Sequence, residues 1–172
     1  DEVLKLQEEI LVINRELGNQ LEIASSLGAL AWSYSAKGQH DKALKLHEES
    51  LVINKKLGFR QGIAFSLGAL AYSYQAKGQY HEALKLFEES LVINRELGFR
   101  QGIASSLEGI GSVLIEMKKY MEALPYTIDA YNTMKELGLP FDSFNLNRIR
   151  DALGDKEYQK KLEGRDKSSP EL

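Results

Sequence analysis

Residues 24–63 read ASSLGALAWSYSAKGQHDKALKLHEESLVINKKLGFRQGI, and residues 64–103 read AFSLGALAYSYQAKGQYHEALKLFEESLVINRELGFRQGI. Only nine of the forty paired positions differ: Ser25/Phe65, Trp32/Tyr72, Ser35/Gln75, His40/Tyr80, Asp41/His81, Lys42/Glu82, His47/Phe87, Lys55/Arg95 and Lys56/Glu96. A repeat of this length and fidelity marks a stacked array, whose units bury a core only by packing on their neighbours.

Within a unit two helical patterns alternate. The first runs from about Gln20 to Ala36, with Leu27, Leu30, Ala31 and Tyr34 at helical spacing. Gly38 is placed as a stop, and Asp41 as a cap for the free amides of the next helix. That helix runs from about Asp41 to Leu57, carries Ala43, Leu44, His47, Leu51 and Leu57, and stops at Gly58. Gly78 and Gly98 repeat the stops. Ala31 and Ala71 on first helices face Ala43 and Ala83 on second helices, small pairs that let backbones approach.

Outward from these two units the frame persists. Residues 1–23 match the second half of a repeat, LKLQEEILVINRELG against LKLHEESLVINKKLG, so the chain opens at a second helix, read as a truncated unit. A third, drifted unit covers Ala104 to Gly138, with Gly111 in the slot of Ala31 and Ala71. Pro125 falls early in its second helix, which is expected to start late or bend there. Beyond Pro140, Asp142 or Ser143 caps a helix to about Leu153, and a polar helix follows from about Asp155 to Glu163. The expected organisation is one solenoid, 1–163: a lone second helix at 1–19, units at 20–58, 59–98 and 99–138, and polar capping helices at 141–163. Residues 164–172, GRDKSSPEL, read as a disordered tail.

Composition narrows the functional classes. The 172 residues are 43% hydrophobic and 27% charged, with a net charge of -3 and a pI near 5.7. This balance gives nucleic acid no basic face. The longest apolar runs are broken by polar residues, so no membrane-spanning helix is expected. The absence of cysteine excludes disulfides and thiol chemistry, and fits an intracellular, cytoplasmic protein. His40, His47 and His81 show no metal-ligand spacing, and His47 aligns with Phe87 as a packing residue. No nucleophile elbow, phosphate loop or dinucleotide fingerprint occurs, so neither catalysis nor a cofactor is expected. Glu8–Glu9, Glu48–Glu49 and Glu88–Glu89 read as a solvated face beside Lys5, Lys45 and Lys85. The repeated FRQG reads as structural, with Phe59 stapling the turn and Arg60 bonding the last carbonyls of the preceding helix.

Leu27, Leu30, Ala31, Tyr34, Gly38, His40, Ala43 and Ser50 occupy slots that resemble the signature of the tetratricopeptide repeat. In the second unit Leu67, Leu70, Ala71, Tyr74, Gly78, Tyr80, Ala83, Phe87 and Ser90 do so. The family's usual unit has about 34 residues; here Lys55 and Arg95 replace the proline that commonly ends the second helix, which lengthens the unit. The longer unit resembles the repeats of spindle-orientation adaptors and kinesin light chains. The resemblance implies an all-α, right-handed α-α superhelical solenoid of helix-turn-helix repeats with a C-terminal capping helix. It also implies a concave face built from the first helices: Ser25, Gly28, Ala29, Trp32, Ser35 and Ala36; Phe65, Gly68, Ala69, Tyr72, Gln75 and Ala76; Ser105, Glu108, Gly109, Ser112, Ile115 and Glu116.

On this reading the chain is a non-catalytic module binding a protein or peptide partner in that groove. Trp32, Phe65 and Tyr72 are candidate apolar anchors, or else pack against neighbouring helices. Glu108 and Glu116 favour a basic flank on the ligand. The Lys, Arg and Asn of carboxylate-clamping relatives are missing from these slots, as are the Asn residues with which adaptor-type relatives bind peptide backbone. Two other readings stay open. The array self-associates through residues 1–17 as a homo-oligomer, or it is the sensor arm of a larger signalling protein.

Overall fold

The computed structural model describes residues 2–165 and shows an all-α solenoid. Helices run α1 Glu2–Leu17, α2 Gln20–Ala36, α3 His40–Leu57, α4 Arg60–Ala76, α5 Tyr80–Glu96, α6 Arg100–Glu116, α7 Tyr120–Glu136, α8 Phe144–Leu153 and α9 Asp155–Arg165. Contacts join each helix to the next from α1 through α9, except that α8 turns back onto α6 as well as α7. The tightest pairs are α2 with α3, α4 with α5, and α6 with α7. First helices also touch one another, α2 to α4 to α6, along the inner face of the right-handed superhelix.

Local rules set most boundaries. Gly38, Gly58, Gly78 and Gly98 hold the left-handed conformation that ends each helix. In the drifted unit the slot of Gly38 and Gly78 holds Lys118, at φ 60. A side chain there strains the backbone, yet the turn keeps its shape because the surrounding helices impose it.

Three local expectations change, and one open alternative is decided. Asp41 makes no cap bond: α3 starts one residue earlier, at His40, and the Asp41 carboxylate takes the Lys77 ammonium at 2.6 Å. That cation holds the Asp41 carboxyl below its ordinary pKa. Pro125 neither delays nor breaks α7, which is helical from Tyr120 with the proline at its sixth position. Beyond Pro140, Asp142 rather than Ser143 supplies the cap, its Oδ1 accepting the Phe144 N–H at 2.9 Å. Of the residues read as a tail, Gly164 and Arg165 belong to α9, while 166–172 lie outside the described residues.

The face that α3 buries also differs from its apolar reading. Leu57 is 46% exposed, whereas Ser50 and Asn54 are buried beside Ala43 and His47. Positions 43, 47, 50 and 54 share one face by the helical period, whatever their polarity. The polar pair is satisfied by a repeated ladder. Ser50 Oγ donates to the Ala24 carbonyl at 2.8 Å, and Asn54 Nδ2 donates to Ser66 Oγ at 3.0 Å. One unit on, Ser90 bonds the Ala64 carbonyl at 2.8 Å and Asn94 bonds Ser106 at 3.2 Å. Asn14 to Ser26, at 2.9 Å, is the first rung. α1, α3 and α5 are thereby tied to the first helix of the following unit, and α3 and α5 also to their own.

The same ladder explains the glycine of FRQG. A Cβ on Gly62 would stand 2.5 Å from Asn54 Oδ1 and 2.5 Å from the Phe59 ring. Arg60 does not bond the preceding carbonyls; it reaches forward to Glu96, and Arg100 likewise to Glu136. The glutamates read as a solvated face are partly engaged too: Tyr34 donates to Glu8 at 2.6 Å and Arg15 pairs with Glu49 at 2.7 Å.

Core size is matched across units. A Cβ on Gly109 would lie 2.4 Å from Phe87 Cε1, inside the ring's packing envelope. One unit earlier these two slots hold Ala69 and the smaller His47. Gly109→Ala is therefore expected to lower stability by about 1–3 kcal/mol, although the same change in an open helix stabilises by about 1 kcal/mol. In a Phe87→His background the penalty should vanish. A urea-unfolding double-mutant cycle checks this; a Gly109→Ala protein more stable than the parent would refute the contact.

Candidate functional site

The inner face of α2, α4 and α6, with the C-terminal ends of α3 and α5, encloses a groove of about 740 Å³. Nine of the eighteen residues expected on this face line it: Ser25, Gly28, Ala29, Trp32, Phe65, Gly68, Ala69, Tyr72 and Ser105. Gln75, Ser112 and Glu116 line a second hollow of about 450 Å³ on the other side of Tyr72. Ser35 is half-buried on α2 and lines neither. Glu108 also lines neither, since it accepts the Tyr72 hydroxyl at 3.0 Å and the Asn145 amide at 3.4 Å. Of these eighteen, Gly28, Ala69, Gly109 and Ile115 are buried.

The aromatic residues divide by exposure. Trp32 stands edge-on to His47, with centroids 5.6 Å apart, and Tyr72 stands edge-on to Phe87 at 4.8 Å. Trp32 and Tyr72 touch across the unit boundary at 5.9 Å. Packing and presentation are therefore combined in Trp32, which keeps 41% of its surface exposed. Phe65 is 61% exposed at the groove mouth. Tyr72 is more deeply set, and burial, reinforced by the charge of Glu108, raises its phenol well above the ordinary range. Burial likewise raises the Glu108 carboxyl.

Charge is nearly absent from the groove, where Glu22 is the one ionisable carboxylate among the lining residues and no lysine or arginine joins it. The two carboxylates expected to draw a basic flank are already engaged: Glu108 as above, and Glu116 by Arg148 of α8 at 2.7 Å. The C-terminal helix pair thus completes the inner wall of the third unit from within the chain. In the second hollow, Gln75 donates to Ser112 at 2.9 Å, leaving its buried Oε1 without a partner among the described residues.

Sequence reading left out part of the lining. Phe59 and Phe99, at the N-terminal boundaries of α4 and α6, form the rim, and Asn54, Asn94, Gly62 and Gly102 form the floor. Their signal was their recurrence forty residues apart, in step with the groove positions. Among the described residues no cluster of histidine and acidic side chains could hold a metal ion. None of the described helices is long and apolar enough to cross a membrane.

Stacked helix pairs with a continuous inner groove define an α-solenoid of the helix-turn-helix repeat class. A tetratricopeptide repeat profile matches residues 1–56 and 62–136, and the chain belongs to that family. Its fold is similar to a putative kinesin light chain with nearly identical TPR-like repeats from Podosopora anserina: TM-score 0.70, 23% identity, covering 94% of this chain and 83% of that one. Aspartyl phosphate phosphatase F from Bacillus subtilis is similar at TM-score 0.75 and 20% identity, over 85% of this chain and 40% of that one. The apo form of RapI is similar at TM-score 0.76 and 19% identity, over 97% and 49%. No curated protein sequence matches significantly. The shared fold is one that generally mediates protein–protein interaction and is typically non-catalytic.

Proposed function

We propose that this chain is an interaction module that holds an apolar segment of a partner protein in the groove between α2, α4 and α6. The observation that carries the reading is the exposure of Trp32 and Phe65 at the mouth of a preformed, almost uncharged cavity. Large aromatic side chains left exposed around a concave site can supply most of the energy when a partner desolvates them. The nearly neutral lining favours aliphatic or aromatic anchors over a charged tail, because a buried anion here would find no counter-charge and a cation only the exposed Glu22. The support is geometric and chemical, and it concerns the class of ligand.

Trp32 is the sole tryptophan, so the groove reports on itself. A peptide selected by display against the protein should shift Trp32 emission on saturation. Trp32→Ala and Phe65→Ser should each weaken it about tenfold or more. Serine occupies the Phe65 slot in the neighbouring units, as Ser25 and Ser105, so that variant keeps the helix intact. Unchanged emission together with unchanged affinity in both variants would reject the groove.

A further inference from the structure

We propose that the groove seats one aromatic side chain of the partner over Gly68, between α4 and α6, in the place that Phe65 takes over Gly28 one unit earlier; this rests on the interaction-module reading and names its anchor.

First helices meet at a repeated pair of positions 37 residues apart. Phe65 of α4 lies on Gly28 of α2, its Cε1 3.8 Å from where a Cβ on that glycine would stand, and Gly28 is buried. Asn145 of α8 lies on Glu108 of α6 and donates to it at 3.4 Å. The middle pair is Ser105 of α6 with Gly68 of α4, and both are small. A Cβ on Gly68 would have only Ser90 Oγ within 4 Å, at 3.8 Å, and Gly68 stays partly exposed. A ring covers the first glycine and an amide covers the glutamate, but among the described residues no side chain of α6 covers the second glycine.

The first pair is a guide to what the second can take. Residues 24–63 and 64–103 differ at nine of forty positions, so α2 and α4 offer nearly the same backbone surface. A phenyl ring fits on that surface at Gly28. Beside Gly68 the walls are aromatic as well, with Phe65 three residues before it and Tyr72 four residues after it on one face of α4. The Tyr72 hydroxyl is engaged by Glu108 at 3.0 Å, so Tyr72 presents its ring to the groove. Rings packed edge-to-face or offset against such walls gain more than their buried area alone supplies. Packing inside the chain does not demand a glycine here, since a Cβ at 3.8 Å is an ordinary contact and glycine within a helix costs stability relative to alanine. What glycine adds is close approach of a flat group to the backbone.

Charge selects against other anchors. Glu22 belongs to α2, and the groove lining supplied by α4, α5 and α6 carries no ionisable acid or base at all apart from the Tyr72 phenol. An ammonium or carboxylate seated over Gly68 would lose its water without gaining a counter-charge, whereas an uncharged ring loses nothing.

The probes are peptides selected by display against the intact protein. Binders that shift Trp32 emission are expected to carry Phe, Tyr or Trp; replacing that residue by Ala should weaken them at least about tenfold, and by Leu several-fold. Ser105→Phe, which sets the chain's own ring over Gly68, should weaken the aromatic peptide at least about tenfold, while Ser105→Ala changes affinity less than about twofold. In Ser105→Phe the Ala peptide should bind no worse than the aromatic one. Phe65 occupies the same slot of α4, so the variant keeps a helix that the fold already tolerates, and an unchanged circular dichroism spectrum verifies it. Equal affinity in Ser105→Phe, equal binding by the Leu peptide, or binders without an aromatic residue would each overturn the seat. If Trp32→Ala still weakens those binders, the groove reading stands and the seat alone falls; insensitivity to both substitutions removes both. A sedimenting dimer that Ser105→Phe dissociates would assign the seat to a second copy instead.

Discussion

Phe87→Ala is expected to lower the stability of the array by about 3–5 kcal/mol, the range for removing a fully buried aromatic ring. Phe87 is 1% exposed at the middle of α5, in the core cluster that continues through Leu107, Ile110 and Leu124. Its ring meets Tyr72 of α4 edge-on and fills the space left by the missing Cβ of Gly109 on α6. One side chain therefore serves both the helix pairing within its own unit and the interface with the next unit. In a solenoid, stability is close to a sum of unit and nearest-neighbour terms, so a lesion at that side chain weakens coupling as well as one unit. Urea unfolding followed by circular dichroism measures the loss. Trp32 emission, sited one unit away, should then move at a different midpoint. A loss below about 1 kcal/mol, with coincident transitions, would show that Phe87 does not link the units as described.

The second large effect belongs to His47, which occupies the Phe87 slot one unit earlier. It is 1% exposed, its Nε2 has no partner among the described residues, and burial pushes its pKa down to about 4. An unfolded histidine titrates near 6.5. Between these values the unfolded chain binds the extra proton and the folded chain does not, so stability falls as pH falls. The loss begins below about pH 6.5, is complete near pH 4, and reaches roughly 3 kcal/mol. Carboxylates also titrate at the lower end, so the comparison is with His47→Leu, which keeps them all. The difference in unfolding free energy between the two proteins should depend on pH across this window in favour of His47→Leu at low pH. Parallel stability profiles would show that His47 is solvated rather than buried.

Much of the molecule was legible in residues 24–63. Helix lengths, glycine stops and the small slots at Ala31, Ala43, Ala71 and Ala83 all follow from patterns within a few residues. What escaped was carried by residues of the wrong apparent polarity or the wrong apparent role. Ser50 and Asn54 look like surface residues on a hydropathy reading, yet they form the buried ladder. Phe59 and Gly62 look like turn residues, yet they line the groove. Glu108 and Glu116 look like ligand contacts, yet Asn145 and Arg148 reach them from α8.

The division has one physical cause. The forty-residue repeat by itself determined that the chain forms paired helices, where each one stops, and that the pairs must stack, because these depend on backbone conformation and on the 3.6-residue period. Which carboxylates are spent within the chain, which ring requires a glycine opposite it, and which aromatics keep an exposed face depend on the stacking of each unit on the next. Partners there lie 22–40 residues apart in sequence, as in Phe87–Gly109, Arg148–Glu116 and Trp32–Tyr72, and only the tertiary structure brings them together.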